Sequence, residues 1–160
     1  MSNSSSEDVH VPLRIRVDTS RQQLEILRYG TIWRSYPVST SKFGLGADSG
    51  SNKTPLGQFI VSQKIGAEAT LGAVFESRRE TGEIAQQGGE KDLVLTRILW
   101  LDGIEPGNAN TRDRYIYIHG TNQEALLGTP ASHGCVRMSN ADIAECFDEI
   151  AEGTPVEIIA

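Results

Sequence analysis

Cysteine is scarce in this chain of 160 residues. Only Cys135 and Cys146 occur, which is too few for a fold supported by disulfide bonds. We therefore expect both side chains to be free thiols in a reducing compartment.

An excess of basic residues is also absent. The chain has 15 Lys and Arg against 21 Asp and Glu, so its formal net charge is −6. Non-specific binding to nucleic acid needs basic surfaces that neutralise phosphates, so we expect no nucleic-acid partner. An anionic substrate is still compatible, because local arginines can oppose the overall sign.

Long apolar runs are missing as well. No segment approaches the roughly 20 apolar residues of a membrane-spanning helix. Residues 1–8 contain neither the basic nor the apolar region of a secretory signal. These observations predict a cytoplasmic protein without a membrane partner. A periplasmic location is expected only if the sequence is a trimmed piece of a longer chain.

The length corresponds to one ordinary domain, which can bury a full core without disulfides or metals. Apolar residues make up 38% of the chain and charged residues 22%, a balance typical of folded proteins. We predict a flexible N-terminal tail over residues 1–11 and one domain over residues 12–160.

Alternating apolar and polar residues predict a mainly β fold. Leu13, Ile15 and Val17 fall on one face of a first strand. Further strands are predicted over residues 23–28, 32–38, 59–62, 93–101, 114–119 and 156–159. We expect a small β-sandwich or a partly closed barrel.

Two segments interrupt this pattern. Residues 39–58 have the polar, glycine-containing composition of a long loop. Residues 65–92 are rich in glycine and charge, which predicts an insertion or flap with weak local structure.

One principal helix is predicted after the segment Ser-His-Gly-Cys-Val-Arg-Met at 132–138. Ser139 is a candidate N-cap with Asp142 three residues later. A stripe of apolar residues at helical spacing follows, namely Ile143, Cys146, Phe147 and Ile150. Gly153 is predicted to end the helix.

Cys135 is the candidate nucleophile. It lies in the segment Ser-His-Gly-Cys-Val-Arg-Met at 132–138, and a cysteine needs a base or a positive field to attack as thiolate. His119 ends a predicted strand, shares its face with Tyr115 and Tyr117, and can face a cysteine that precedes the helix.

Two neighbours of Cys135 suit acyl transfer. Gly134 lets the backbone approach a substrate closely, and the amides of Gly134 and Cys135 can form an oxyanion hole if they point the same way. Arg137 can pair with a substrate carboxylate.

Other interpretations stay open. Cys146 lies on the apolar stripe and is best explained as a small buried hydrophobe. His119 can be a structural strand-end histidine, and His133 can satisfy backbone groups of its loop. His119, His133 and Cys135 have ligand types that suit zinc, but no fourth ligand is evident. We therefore expect no metal and no cofactor.

The combination of motifs resembles a known family. Ile118-His119-Gly120-Thr121 precedes the Ser-His-Gly-Cys segment, with 15 residues between His119 and Cys135. Residues 54–59 form a Thr-Pro-x-Gly-x-Phe segment, and residues 38–41 read Val-Ser-Thr-Ser. Over about residues 12–160 the chain is similar to the L,D-transpeptidase catalytic domain of the YkuD type.

This resemblance implies a mechanism. Cys135 would attack the carbonyl before the terminal D-Ala of a peptidoglycan tetrapeptide stem, and D-Ala would leave behind a thioester. His119 would be the base, oriented by the backbone carbonyl of Gly120 in place of a carboxylate. Backbone amides around Gly134 would hold the oxyanion. A carbapenem would be expected to acylate Cys135.

The resemblance also implies partners, which are peptidoglycan stem peptides or muropeptides bound by a monomer. The candidate substrate-binding residues are Arg137, His133, Ser132, Tyr117 and Arg78. The flap with Arg78 and Arg79 is predicted to cover the site, although these arginines can equally form a solvated face.

The acceptor decides which reaction results. Water gives a tripeptide, and an amine from a second stem gives a 3–3 cross-link. Members that cross-link the wall are exported, so the lack of an export signal favours water and an L,D-carboxypeptidase of muropeptide recycling. A non-catalytic module that binds wall fragments is the alternative of another class.

Overall fold

The computed structural model describes residues 12–160, and the predicted tail at residues 1–11 lies outside the described residues. The strands are β1 Leu13–Asp18, β2 Gln23–Arg28, β3 Thr31–Pro37, β4 Gly57–Ile65, β5 Ala73–Glu76, β6 Arg79–Ile84, β7 Val94–Gly103, β8 Tyr117–Gly120, β9 Val136–Met138 and β10 Pro155–Ile159. Within residues 12–160 one α-helix, α1, spans Asn140–Glu149, and short 3₁₀ turns span Pro106–Asn108, Arg112–Arg114 and Glu124–Leu126.

The ten strands form one sheet that does not close. Its order is β3-β2-β1-β10-β4-β7-β5-β6, and β8 pairs with β7 and carries β9 on its other side. Most neighbours are antiparallel, but β1 with β10 and β8 with β9 are parallel. The prediction of a mainly β fold with one principal helix is confirmed.

The long strand β7 separates two apolar clusters, because successive side chains of a strand point to opposite faces. Leu99 and Leu101 pack in the main core with α1. Ile98 and Trp100 pack on the other face in a second cluster, which also contains Ala69, Ala73, Phe75 and Tyr117. Cys135 packs against this second cluster, so the candidate nucleophile lies on the face away from the main core.

The flap is more ordered than the sequence predicts. Residues 73–84 form the β5–β6 hairpin rather than weak local structure. Val74 and Phe75 are buried. The two turn residues, Ser77 and Arg78, have φ values of 49° and 66°, as in the tight turns that match strand twist.

The predicted strand over residues 114–119 is also corrected. β8 begins at Tyr117, because Arg112–Arg114 form a 3₁₀ turn. Tyr115 then adopts a left-handed conformation with φ 57° and lies outside the strand. Tyr117 and His119 keep the shared face that the alternation predicts.

The helix begins as predicted and ends earlier. The Ser139 hydroxyl accepts the Asp142 backbone N–H at 3.0 Å. Ile150 is already extended, with φ −104° and ψ 133°. Gly153, with φ 91°, therefore belongs to the turn before β10 rather than to the helix end.

Both cysteines are free. No helix within residues 12–160 has the length and apolar character needed to cross a membrane.

The helix N-cap gives a first testable expectation. Ser139→Ala removes the acceptor for the Asp142 N–H, so the free energy of unfolding should fall by about 1 kcal/mol. Urea denaturation measures the change. Ser35→Ala, at an exposed position of β3, is the control and should change stability by less than about 0.5 kcal/mol. Equal losses in both variants would contradict the capping role.

Candidate active site

The site is built on the parallel pairing of β8 with β9. Ile118 pairs with Val136, His119 with Arg137 and Gly120 with Met138. Ile118, Val136 and Met138 point into the main core. Because side chains alternate along a strand, His119 and Arg137 point together to the opposite face.

Cys135 immediately precedes β9 and lies on this same face. Its Sγ accepts the Tyr117 backbone N–H at 3.3 Å and approaches the Tyr115 carbonyl oxygen at 3.4 Å. A thiol can donate to that carbonyl, whereas a thiolate cannot. Burial raises the pKa of the Cys135 thiol to about 12, although the Tyr117 N–H and the cations of Arg137 and Arg114 act to lower it. Cys135 therefore rests as a thiol, and a base would have to remove its proton before it could attack as thiolate.

His119 is buried and has a fixed orientation. Its Nδ1 lies 2.5 Å from the Gly120 carbonyl oxygen, and a carbonyl only accepts, so Nδ1 carries the proton and Nε2 is the basic nitrogen. Burial lowers the pKa of His119, as does Arg137, while Asp92 and the Gly120 carbonyl oppose the change. The structure thus places a neutral imidazole on the face that carries Cys135.

Gly120 fits a place with no room for a side chain. A Cβ there would press against the Asn140 side chain and the Leu95 carbonyl oxygen. The close packing holds the carbonyl that orients His119.

The loop before Cys135 is braced from within and from outside. The Ser132 hydroxyl accepts the Gly134 N–H at 3.2 Å and donates to the Cys135 carbonyl oxygen at 2.6 Å. The Thr54 hydroxyl donates to the Gly134 carbonyl oxygen at 2.9 Å and accepts the Ser41 N–H at 3.0 Å. Gly134 has φ 125°, a region that residues with a Cβ rarely adopt. Ser132 is fully buried and acts on the loop itself.

A carboxylate that the sequence analysis did not single out joins the motif residues. Asp92 Oδ1 accepts Arg137 Nε at 3.1 Å and Nη2 at 2.9 Å. Asp92 Oδ2 lies 2.8 Å from His133 Nδ1. Burial opposes the charge, but His119, His133 and Arg137 outweigh it and hold the pKa of Asp92 below its usual value.

Arg137 is almost fully buried, with 1% of the side chain exposed. Asp92 occupies two of its nitrogens, and Nη1 is buried without a hydrogen-bond partner among residues 12–160. A buried donor of this kind is costly unless an acceptor arrives.

The hairpin reaches the site through one of its two arginines. Arg78 Nη1 donates to the Tyr117 hydroxyl at 3.1 Å, and its guanidinium lies 4.9 Å from the ring centroids of both Trp100 and Tyr115. Burial raises the pKa of Tyr117, although Arg78 opposes this. Arg79 is exposed on β6. Arg78 therefore borders the site and Arg79 does not.

The sequence motifs did not predict that Thr54, Asp92 and Arg114 would lie at the site. Thr54 was signalled only by the Thr-Pro-x-Gly segment, and Asp92 lies in a charged loop without a pattern. As for metal ligands, residues 12–160 contain no group of three or more His, Cys, Asp or Glu side chains that could hold a metal ion.

Comparison with known proteins identifies the family of the chain. Residues 12–158 match the YkuD family, described as the L,D-transpeptidase catalytic domain. The match covers most of the chain, so the protein belongs to this family.

Individual relatives are distant. The chain is 24% identical to YkuD of Bacillus licheniformis over 148 residues, which is 92% of this chain and 66% of that protein. A shorter stretch of 46 residues is 46% identical to YbiS of Escherichia coli K12, covering 29% of this chain and 15% of that protein.

Solved structures show the same fold. LdtMt1 in complex with imipenem aligns with a TM-score of 0.58 at 22% identity, over 92% of this chain and 58% of that one. L,D-transpeptidase 3 from Mycobacterium tuberculosis, with a faropenem-derived adduct, aligns with a TM-score of 0.59 at 17% identity, over 92% and 60%. These three proteins match most of this chain, but the chain spans less than two thirds of the length of each of them.

The Thr54 brace can be tested separately from the chemistry. Thr54→Val keeps the shape but leaves the Ser41 N–H and the Gly134 carbonyl unpaired, so the free energy of unfolding should fall by about 1–3 kcal/mol. Urea denaturation measures this loss. Thr31→Val, at an exposed strand position, is the matched control. A Thr54→Val protein as stable as the control would show that the hydroxyl does not brace the loop.

Proposed function

We propose that this protein is a cysteine acyl-transfer enzyme. It cleaves the L,D-peptide bond before the terminal D-Ala of peptidoglycan tetrapeptide stems, through a thioester on Cys135. The observation that carries the proposal is the placement of Cys135 and His119 on one face of the β8–β9 ladder, with His119 Nδ1 fixed on the Gly120 carbonyl. Membership of the L,D-transpeptidase family supports the class of reaction.

In the acylation step, Cys135 Sγ attacks the carbonyl carbon while His119 Nε2 accepts the thiol proton. The Cys135 backbone amide is the proposed oxyanion donor. The Gly134 N–H, predicted for the same role, is paired with the Ser132 hydroxyl and would join it only by leaving that contact. The tetrahedral intermediate collapses, the C–N bond breaks, and His119 returns the proton to the leaving D-Ala amine. A neutral thiol beside a neutral imidazole is the starting state that the burial of both groups favours.

Substrate binding is proposed for the groups that border Cys135. The unpaired Arg137 Nη1 offers a donor to a substrate carbonyl or carboxylate. Arg78 and Tyr117 present a cation and a hydroxyl from the side of the hairpin. His133 is 45% exposed and can contact substrate directly, whereas Ser132 acts by shaping the loop.

Water is the acceptor that we prefer. A polar pocket of about 250 Å³ adjoins His133 and is lined by Ser49, Gly50, Asn52, Asp113, Arg114, Ile116 and His133. Its hydroxyl, amide and charged side chains can hold ordered water beside the loop that carries Cys135. The proposal makes the protein an L,D-carboxypeptidase of soluble muropeptides in the cytoplasm, and cell fractionation tests the location.

Formation of 3–3 cross-links is the alternative within the same chemistry, because the thioester is common to both reactions. Only the nucleophile that resolves the thioester differs.

The decisive experiment incubates the protein with disaccharide-tetrapeptide and weighs the products. Wild-type protein should release D-Ala and leave a tripeptide, and Cys135→Ala should lose this activity completely because no thioester can form. Cys146→Ala is the matched control, since Cys146 is buried in α1, and it should keep the activity.

Each other product has a definite meaning. A dimer of increased mass would favour cross-linking over hydrolysis, and replacement of D-Ala by an added D-amino acid would show exchange. Binding without any change in ligand mass, together with no imipenem adduct on Cys135, would identify a non-catalytic binding module and overturn the proposal.

The pH dependence of acylation tests the role of His119. A base must be unprotonated to accept a proton, so acylation should fall as pH decreases through the pKa of His119. Burial lowers this pKa below the ordinary 6.5, so the acid-side midpoint should lie below pH 6.5. Stopped-flow measurement of imipenem acylation at a series of pH values gives the midpoint. A midpoint above 6.5 would contradict a buried neutral base.

A further inference from the structure

Asp92 occupies a central place among the charged groups of the site. It lies in the loop between β6 and β7, 43 positions before the nucleophile in sequence. Its two oxygens are shared between Arg137 and His133, which belong to the segment that carries Cys135. One carboxylate therefore contacts the residues on both sides of the nucleophile in the chain.

The loop that carries Asp92 is held by a buried amide. Asn122 is 2% exposed, and its Nδ2 donates to the carbonyl oxygens of Gly88 at 2.8 Å and Lys91 at 3.0 Å. Its Oδ1 accepts the Leu93 N–H at 3.2 Å. Three backbone groups around Asp92 are thus fixed by one side chain that follows β8 by two residues. The position of Asp92 is specified by the same strand that carries His119.

Charge gives this contact a consequence for the base. Arg137 is buried and lies opposite His119 in the register of β8 with β9. A buried cation beside an imidazole disfavours the protonated form, whereas a buried carboxylate favours it. Asp92 and Arg137 act on His119 in these opposite directions. The two charges of the ion pair therefore offset each other's effect on the pKa of His119.

We propose that Asp92 is a positioning residue of the acyl-transfer site. Its carboxylate holds the Arg137 guanidinium in place beside His119 and orients the His133 imidazole through Nδ1. The inference rests on the proposed function for its role in acyl transfer, although the positioning itself can be measured without substrate.

The same geometry defines what Asp92 leaves available. With Nε and Nη2 of Arg137 engaged, Nη1 is the guanidinium nitrogen left for a substrate acceptor. With Nδ1 of His133 engaged, Nε2 is the nitrogen left to face outward. Asp92 thus selects which nitrogen of each side chain the substrate meets.

The first test is spectroscopic and needs no turnover. The chain has three histidines, so NMR titration can follow each imidazole. Asp92→Asn removes the carboxylate charge and leaves Arg137 uncompensated, so the pKa of His119 should fall. The other titratable or cationic side chains near Asp92 and His119 are unchanged in this variant, namely His133 on the loop, Arg137 on β9 and Arg114 on the 3₁₀ turn.

The kinetic test uses imipenem acylation of the full chain. Asp92→Asn should slow acylation roughly 10- to 100-fold, the scale expected when reacting groups lose their alignment. Its acid-side midpoint should also move to lower pH, which a loosened loop alone would not cause. Asp92→Asn combined with Arg137→Gln removes both charges and should return the midpoint towards the wild-type value.

Controls separate folding, function and positioning. Asp148→Asn, at an exposed carboxylate of α1, should change neither the titration nor the rate. If Asp92→Asn fails to fold, the double variant is compared with Arg137→Gln alone, in which the Asp92 carboxylate should hold the pKa of His119 higher. An unchanged His119 titration in folded Asp92→Asn, or equal titrations in Arg137→Gln and the double variant, would overturn the inference. Wild-type protein that titrates as expected but neither takes up imipenem nor releases D-Ala would overturn only the proposed function.

Discussion

Three rungs of parallel strand pairing between β8 and β9 determine where every group of the site lies. The ladder is short, so its backbone hydrogen bonds alone are a weak constraint. Ile118, Val136 and Met138 anchor it from the core side, and burying each such side chain stabilises a fold by about 1.5–3 kcal/mol. The orientation of the opposite face is then fixed, so His119 and Arg137 lie side by side on it. Cys135, which immediately precedes β9, lies on the same face.

Charge balance is the second constraint on this face. A buried guanidinium, a buried imidazole and a thiol lie in surroundings of low polarity, where unpaired charge is costly. Asp92 neutralises the Arg137 cation, so their ion pair adds little net charge to the site. This arrangement favours the neutral forms of Cys135 and His119. Under the proposed function, proton transfer is then needed only when the substrate carbonyl is attacked.

Regular patterns in the sequence predicted the parts of the fold that depend on burial alone. The alternation of Leu13, Ile15 and Val17 and the helical stripe of Ile143 and Phe147 give β1 and α1 with nearly correct bounds. The β5–β6 hairpin was missed because the apolar run of β5 is only three residues long, Ala73 to Phe75, and its Ser-Arg turn lacks the usual glycine. The strand at Arg114 was predicted too early because a 3₁₀ turn keeps an alternating composition without strand geometry.

The candidate site divides in the same way. Cys135, His119 and Gly120 lie in short motifs, so local sequence was sufficient to bring them forward. Asp92 and Thr54 contact the motif through hydrogen bonds that cross 45 and 80 positions of the chain. Such contacts leave no periodic trace, since a single polar residue in a loop can face in any direction. Only the tertiary structure reveals them.

The position of β10 in the sheet has a consequence for the order of folding. β10 lies between β1 and β4, and Ile15 of β1 pairs in parallel with Val156 of β10. Before β10 docks, β1–β3 form a separate meander with no sheet partner on the β4 side. Pairings between such distant residues form slowly, because the loop entropy is lost before the contact is gained. The sheet that supports Cys135 therefore becomes continuous only when β10 docks between β1 and β4.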